Sequence, residues 1–234
     1  MPAPHKPVVV EPTVHHTATV IWLHGLGDSG VGWLFLAESL APELPHVKWV
    51  LPNAPMRPVT ASGDMDLPAW FNVSGYDKST HLEKVDESGM LASVEIVNDL
   101  IRAENEAGIS SDRIVVGGFS QGCVISLLTG LTTKHKLAGV IGCSGWLGIG
   151  KRLHELLSDA NKGSTPFLVC HGDEDPVVKH RYGQATAKYM NKIGYHTTYN
   201  LYPGLDHAAS PKELADIAEF LQQQLPNHAR ESKI

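Results

Sequence analysis

Cysteine is scarce in this chain. Only Cys123, Cys143 and Cys170 occur among 234 residues, an odd set with no C-x-x-C spacing, so the fold must stand without a disulfide framework. Each lies in or beside an apolar stretch, such as Phe167-Leu168-Val169-Cys170, and the three are read as buried free thiols in a reducing compartment. An excess of positive charge is also lacking. The 19 Lys and Arg stand against 25 Asp and Glu, a formal net charge of −6. The basic residues are scattered, which leaves no electrostatic footprint for a phosphate backbone, and nucleic acid is not an expected partner. Long hydrophobic runs are missing too. Val20 to Leu23 and Leu127-Leu128 with their neighbours fall far short of a membrane span. The Pro-rich start, Met1-Pro2-Ala3-Pro4-His5-Lys6-Pro7, has only Val8 to Val10 behind it, too little for a signal-peptide core. A soluble, intracellular protein is expected.

What is present is enough to build one sizeable core. With 42% hydrophobic residues over this length, the chain buries most of its unfolded surface unaided. Short β-branched and aromatic runs alternate with stretches of helical period, the pattern of a mostly parallel sheet flanked by helices. Strands are expected near Ala18 to Leu23, Val47 to Leu51, Arg113 to Gly117, Ala138 to Gly142, Pro166 to Cys170 and Thr197 to Tyr202. The segment Glu87 to Ala107 places Met90, Val94, Val97 and Ile101 on one helical stripe and stops at Gly108. The last helix opens with Ser210 as N-cap, Pro211 in its first turn and Glu213 completing a capping box, and buries Leu214, Ile217, Leu221 and Leu225.

There is no internal repeat and no linker-like shift in composition. The expected organisation is an N-terminal extension over 1–17, one α/β domain over 18–225 and a flexible tail over 226–234. One stretch resists the pattern. Residues 52–86 are rich in Pro and Gly with little periodicity, yet contain Leu67, Trp70, Phe71 and Val73. A loop this long in a compact domain reads as a lid or binding element.

The chemistry begins after the strand Ile114-Val115-Val116, where Gly118-Phe119-Ser120-Gln121-Gly122 precedes an apolar helix starting at Cys123. This is G-x-S-x-G between strand and helix, a turn so tight that side chains at either glycine would collide, leaving Ser120 strained and exposed. A serine hydroxyl needs a base, and the base needs an acid to hold its tautomer. Both lie further along. One strand ends in His171-Gly172-Asp173-Glu174-Asp175-Pro176 and another in Pro203-Gly204-Leu205-Asp206-His207, each just past a strand's carboxyl end, where open α/β sheets place their ligands. His207 is the base candidate, because His180 opens a helix, His196 lies at a strand start and His228 falls in the tail. His24 and His171 are read as shaping their loops by hydrogen bonds. Asp175 and Asp173 compete for the acid, and the residue chemistry does not separate them, whereas Asp206 abuts His207 and cannot easily face its ring. The Gly-rich turn His24-Gly25-Leu26-Gly27-Asp28-Ser29-Gly30 supplies a second backbone donor, so the amides of Leu26 and Gln121 are the natural oxyanion hole.

Taken together, His24-Gly25-Leu26-Gly27-Asp28, Pro52-Asn53-Ala54-Pro55, Pro68-Ala69-Trp70-Phe71, Gly118-Phe119-Ser120-Gln121-Gly122, His171-Gly172-Asp173-Glu174-Asp175-Pro176 and Gly204-Leu205-Asp206-His207 resemble the acyl-protein thioesterase/lysophospholipase branch of the α/β-hydrolases, over nearly the whole chain. The resemblance implies the α/β-hydrolase fold, with Ser120 as nucleophile, Asp175, the aspartate before proline, as acid, and His207 as base, and no metal or cofactor. It implies hydrolysis of the thioester of S-palmitoylated cysteines on peripheral membrane proteins such as G-protein α subunits, with lysophospholipids and short acyl esters as weaker substrates, and it leaves room for a weak homodimer. Leu67, Trp70, Phe71 and Val73, with Trp146 and Leu147, are expected to line an acyl groove. Relatives that anchor through a palmitoylated N-terminal Cys differ from this chain, which has none before Cys123, where many relatives have Gly. The expected location is the cytoplasm, with the nucleus second; the C-terminal Ser232-Lys233-Ile234, similar to a peroxisomal tripeptide, ranks behind both.

Overall fold

Strand β2, Ala18–Leu23, is buried along its whole length, the mark of a strand covered on both faces. It pairs in parallel with β3 (Val47–Leu51) on one side and β6 (Ile114–Phe119) on the other. Strands β7 (Gly139–Cys143), β8 (Pro166–Gly172) and β9 (His196–Tyr202) continue the parallel register. With β1 (Val8–Val10) at one edge, the sheet order is β1-β3-β2-β6-β7-β8-β9. The computed structural model describes residues 6–75, 85–150 and 152–227; His228 and the Ser232-Lys233-Ile234 tripeptide lie outside them.

The sequence places no strand before Ala18, but β1 forms there and runs antiparallel to β3. Three valines are too short a pattern to read as a strand alone; pairing with β3 supplies the missing backbone partners.

Helices α1 (Leu34–Leu40), α2 (Glu87–Glu106), α3 (Gln121–Thr132), α4 (Leu153–Leu156), α5 (His180–Lys192) and α6 (Pro211–Gln224) flank the sheet. Because side chains alternate along a strand, Ile21 and Leu23 enter one core with Val94, Val97 and Ile101 of α2 and the apolar residues of α3. Val20 and Trp22 enter the other, with Leu36 and Leu40 of α1 and Ile217 and Leu221 of α6. The expected stripe of α2 is buried at all four positions, and the Asp86 carboxylate caps its start by accepting the Gly89 N–H at 2.9 Å. At α6, Ser210 Oγ accepts the Glu213 N–H at 3.2 Å. This is the α/β-hydrolase architecture.

The described part of the stretch 52–86, residues 52–75 and 85–86, has more order than its sequence suggests; residues 76–84 lie outside the described residues. Met56–Val59 (β4) and Met65–Pro68 (β5) form an antiparallel hairpin apart from the main sheet. Pro58 and Pro68 interrupt the strand pattern and cannot donate to a ladder, a loss that a two-stranded ribbon tolerates because each strand has one free edge. Among the described residues, no helix is long and apolar enough to cross a membrane.

Candidate active site

Strand β6 ends at Phe119 and α3 begins at Gln121, so Ser120 alone makes the turn, with φ 55° and ψ −114°. A non-glycine residue rarely holds such a backbone, and here its surroundings impose it. A Cβ on Gly118 would lie 2.6 Å from the Gly122 backbone, and one on Gly122 would lie 2.2 Å from the Leu23 carbonyl oxygen. Glycine is therefore required at both flanking positions, and the chain between them has no option but to lift Ser120 out. The turn after β2 comes close as well: a Cβ on Gly25 would stand 3.4 Å from Ser120 Cβ.

His207, in the loop after β9, places Nε2 3.0 Å from Ser120 Oγ and Nδ1 2.7 Å from Asp175 Oδ2. The Asp175 carboxylate is 1% exposed. Its other oxygen accepts the N–H groups of Val177 and Val178, both at 2.8 Å. Burial alone would raise its pKa, but the N–H groups of His171 and His207 and the Val178 amide outweigh it and hold the carboxyl well below the usual range. It is thus a fixed anion facing the imidazole of His207. The competing acid Asp173 is spent elsewhere, its Oδ1 accepting the Gly204 N–H at 2.7 Å, and Asp206 is exposed.

The two histidines read as loop shapers do bond their surroundings. His24 is buried, with Nδ1 2.6 Å from the Gly25 carbonyl and Nε2 accepting the Ala54 N–H at 3.0 Å; burial lowers its pKa. His171 Nε2 lies 2.8 Å from the Val178 carbonyl and 3.3 Å from Asp175 Oδ2. Both are acceptors, so this nitrogen carries the proton. The contact with Asp175 is one that the sequence offered no means to anticipate. His180 and His196 occupy the first positions of α5 and β9.

A cavity of about 540 Å³ opens over Ser120 and His207, and Leu26 and Gln121 line it beside them. Gln121 stands at the N-terminus of α3, where the helix dipole favours developing negative charge. Of the six residues expected to line an acyl groove, Leu67, Val73 and Trp146 face this cavity. Trp70 and Phe71 do not: they are 0% and 2% exposed, plugging the core behind it. Their polar groups explain why. Trp70 Nε1 donates to the His24 carbonyl at 2.8 Å, the Trp70 N–H donates to Gln121 Oε1 at 3.0 Å, and Gln121 Nε2 donates to the Phe71 carbonyl at 2.9 Å. Gln121 thus straps the 52–86 segment to the elbow. Leu147 lines a different cavity.

Trp33 and Phe35, which no motif in the sequence marks, join the wall beside Ser120. Phe119 joins them, its ring centroid 4.8 Å from that of His207. Phe119 occupies the variable position of G-x-S-x-G, and its place beside Ser120 was the available signal.

A second ionisable cluster lies in the core. Cys143 and Cys170 are register partners on β7 and β8, and a Glu213 carboxylate oxygen and both sulfurs all lie within 4.8 Å of one another. Burial pushes the Glu213 carboxyl up to about 7, against the Cys143 thiol and the Ser210 amide, which favour its ionised form.

The sequence profile of the phospholipase/carboxylesterase family matches residues 4–225. The chain belongs to that family. Among its relatives, acyl-protein thioesterase 1 of Cryptococcus neoformans var. neoformans is 42% identical over 238 residues, covering 96% of this chain and 100% of that one. Acyl-protein thioesterase 1 of Schizosaccharomyces pombe is 40% identical over 223 residues, covering 95% and 97%. The crystal structure of Zea mays acyl-protein thioesterase 2 superposes with a TM-score of 0.83 at 32% identity, covering 94% of this chain and 99% of that one. For a phospholipase/carboxylesterase the arrangement around Ser120 has a direct chemical reading: hydroxyl, imidazole and carboxylate in series can make the oxygen nucleophilic at neutral pH.

Proposed function

We propose that this chain is a serine-dependent acyl-protein thioesterase, which removes long acyl groups from cysteines of proteins through an acyl-serine intermediate. The observation that carries the reading is the hydrogen-bonded series from Ser120 Oγ through His207 to Asp175, opening on a mainly apolar cavity. The relatives at about two-fifths identity over almost their full length bear that name. His207 takes the Ser120 proton as Oγ attacks the thioester carbonyl, and ionised Asp175 stabilises the imidazolium that forms. The oxyanion is held by the Leu26 and Gln121 amides. The C–S bond breaks, the cysteine sulfur leaves with the proton from His207, and a water activated by the same imidazole then releases the fatty acid.

Each methylene moved from water into an apolar pocket contributes about 0.8 kcal/mol. A long acyl chain can therefore supply most of the binding energy while the protein part of the substrate varies. The test compares turnover of an S-palmitoyl peptide, a lysophospholipid and short aryl esters by the wild type and Ser120→Ala. The expected result is fastest processing of the S-palmitoyl peptide, with a loss of about 10³-fold or more in the variant. Preference for the lysophospholipid would replace the thioesterase reading by a lipase one, and near-wild-type turnover by Ser120→Ala would remove the triad.

A further inference from the structure

Cys143 and Cys170 stand side by side near the carboxyl ends of β7 and β8, paired in register. Register partners in a parallel sheet point to the same face, and both enter the core that α6 covers. Glu213, in the first turn of α6, reaches down to them, so that one of its oxygens and the two sulfurs all lie within 4.8 Å of one another. None of the three residues is more than 1% exposed.

The carboxyl of Glu213 is short of partners. Among the described residues, no hydrogen bond of ordinary geometry reaches either of its oxygens, although the Ser210 amide and the Cys143 thiol are near enough to favour its charged form. A buried carboxyl left so is costly, and in a native fold such a group calls for a further partner, an ordered water or an ion. Thiols hold water weakly, whereas two sulfurs beside a carboxylate are the donor set of a zinc-type cation. One ligand is also braced from behind: the Tyr202 hydroxyl lies 3.4 Å from Cys170 Sγ and donates to Asp216 Oδ2 at 2.9 Å, the kind of support that orients metal ligands.

We propose that Cys143, Cys170 and Glu213 form a binding site for one thiophilic divalent cation of the zinc class. Around zinc, donors about 2.0–2.3 Å from the ion stand roughly 3.5–3.8 Å apart, so a cluster within 4.8 Å closes on the ion by small side-chain rotations. The two thiols release their protons to solvent as the metal–sulfur bonds form, Glu213 enters as carboxylate, and nothing is oxidised or reduced. Magnesium and calcium, which take oxygen ligands, do not suit the two sulfurs. The role is structural, since the site faces away from the cavity over Ser120 and shares none of its lining. Its three ligands lie on the elements that lead to the triad: the Cys143 carbonyl accepts the Ser120 N–H at 2.9 Å, Cys170 precedes Asp175 on β8, and Glu213 follows His207 on α6. The cation ties these three elements together whatever substrate the hydrolase takes.

The experiment refolds the full chain with Zn²⁺ or Cd²⁺, removes loosely held ion, and reads metal content, the ultraviolet thiolate-to-cadmium charge-transfer band and Tm. One ion per chain is expected, with Tm higher by roughly 5–10 °C when free ion stands at about a hundred times its Kd; Mg²⁺ gives no such rise. Cys143→Ala and Cys170→Ala are expected to lose the band, and Glu213→Gln to bind more than about a hundredfold more weakly, since even the partners behind a ligand are worth about 10–100-fold. Cys123→Ala, whose thiol belongs to the other core, keeps the band. X-ray absorption at the zinc edge of the wild type needs no variant to fold: two sulfurs at about 2.3 Å and an oxygen at about 2.0–2.2 Å support the site, and a shell without sulfur overturns it. Absence of the band in the wild type, or an equal band in Cys143→Ala, overturns it as well, and undiminished affinity in Glu213→Gln removes the carboxylate that the proposal requires.

Discussion

His171 Nε2 stands 3.3 Å from Asp175 Oδ2, the same oxygen that His207 Nδ1 approaches at 2.7 Å. One buried carboxylate oxygen thus serves two imidazoles, one that faces Ser120 and one that never reaches it. His171 is wholly buried and wedged against Gly183, where a Cβ would lie 2.5 Å from Nδ1. It is a positioning residue for Asp175. A hydrogen bond to a charged group contributes about 1.5–3 kcal/mol, so His171→Leu is expected to lower kcat by roughly tenfold to a hundredfold with little change in KM. Losing a donor that depresses the Asp175 pKa moves the acid limb of the pH–rate profile upward. His171→Gln, which keeps an N–H donor, recovers part of the loss. Unchanged kcat and acid limb in the Leu variant would reduce His171 to packing.

The elbow stores strain at Ser120, where φ is 55°. Ser120→Gly removes the steric penalty and the nucleophile together. Stability is expected to rise by about 1 kcal/mol, or roughly 2–4 °C in Tm for a chain of this size, while hydrolysis is lost. Ser120→Ala keeps the Cβ and gains no such increment. Paired thermal denaturation of the two variants tests the difference, and equal melting temperatures would count against strain at this position.

Glu213 ties stability to pH. Its folded pKa is raised from 4.5 to about 7, so between those values the folded state holds a proton that the unfolded state has lost. Stability then falls as pH rises through this window, by up to about 3 kcal/mol in all, and levels off above it. Glu213→Gln is expected to flatten the slope between pH 5 and pH 7 in urea titrations made at each pH. A variant as pH-dependent as the wild type would place the effect on other groups.

The three cysteines are free and buried. Burial pushes the Cys123 thiol up, and pairing with Cys170, together with burial, does the same for Cys143, so little thiolate is present for attack. None is expected to react with an aromatic disulfide reagent in the native protein, and all three react in denaturant. Cys123 also contributes to packing, since a Cβ added to Gly142 or Gly145 would fall 2.7 Å or 2.6 Å from its sulfur. The thiol fills the space those glycines leave, and Cys123→Gly is expected to cost about 2 kcal/mol through the cavity and the added backbone freedom. Rapid native labelling or a neutral Cys123→Gly would contradict this picture.

The parallel sheet, the order of its elements and the elbow were legible in the chain because each rests on short-range rules. Strands buried on both faces read as apolar runs, α2 and α6 carry their stripes and caps within one segment, and G-x-S-x-G encodes a turn whose glycines are demanded by the closeness of the backbone around them. His207 could be ranked first by where it falls relative to a strand end. The choice of Asp175 over Asp173 was not reachable from residue chemistry, since both follow β8 within three residues and only the fold turns Asp173 toward Gly204. Tertiary structure alone decided which apolar residues face the cavity. Trp70 looks like a groove residue until the His24 carbonyl claims its indole N–H, Trp33 and Phe35 arrive from positions 87 and 85 residues before Ser120, and the end of α6 that serves as a cap also sends Glu213 toward two thiols. The sequence by itself thus determined the fold and the types of group at its strand ends. Packing decided the cavity walls and the hydrogen bonds that join Ser120, His207 and Asp175, because a side chain's direction depends on partners far away in the chain, and a one-dimensional pattern carries periodicity but not those distances.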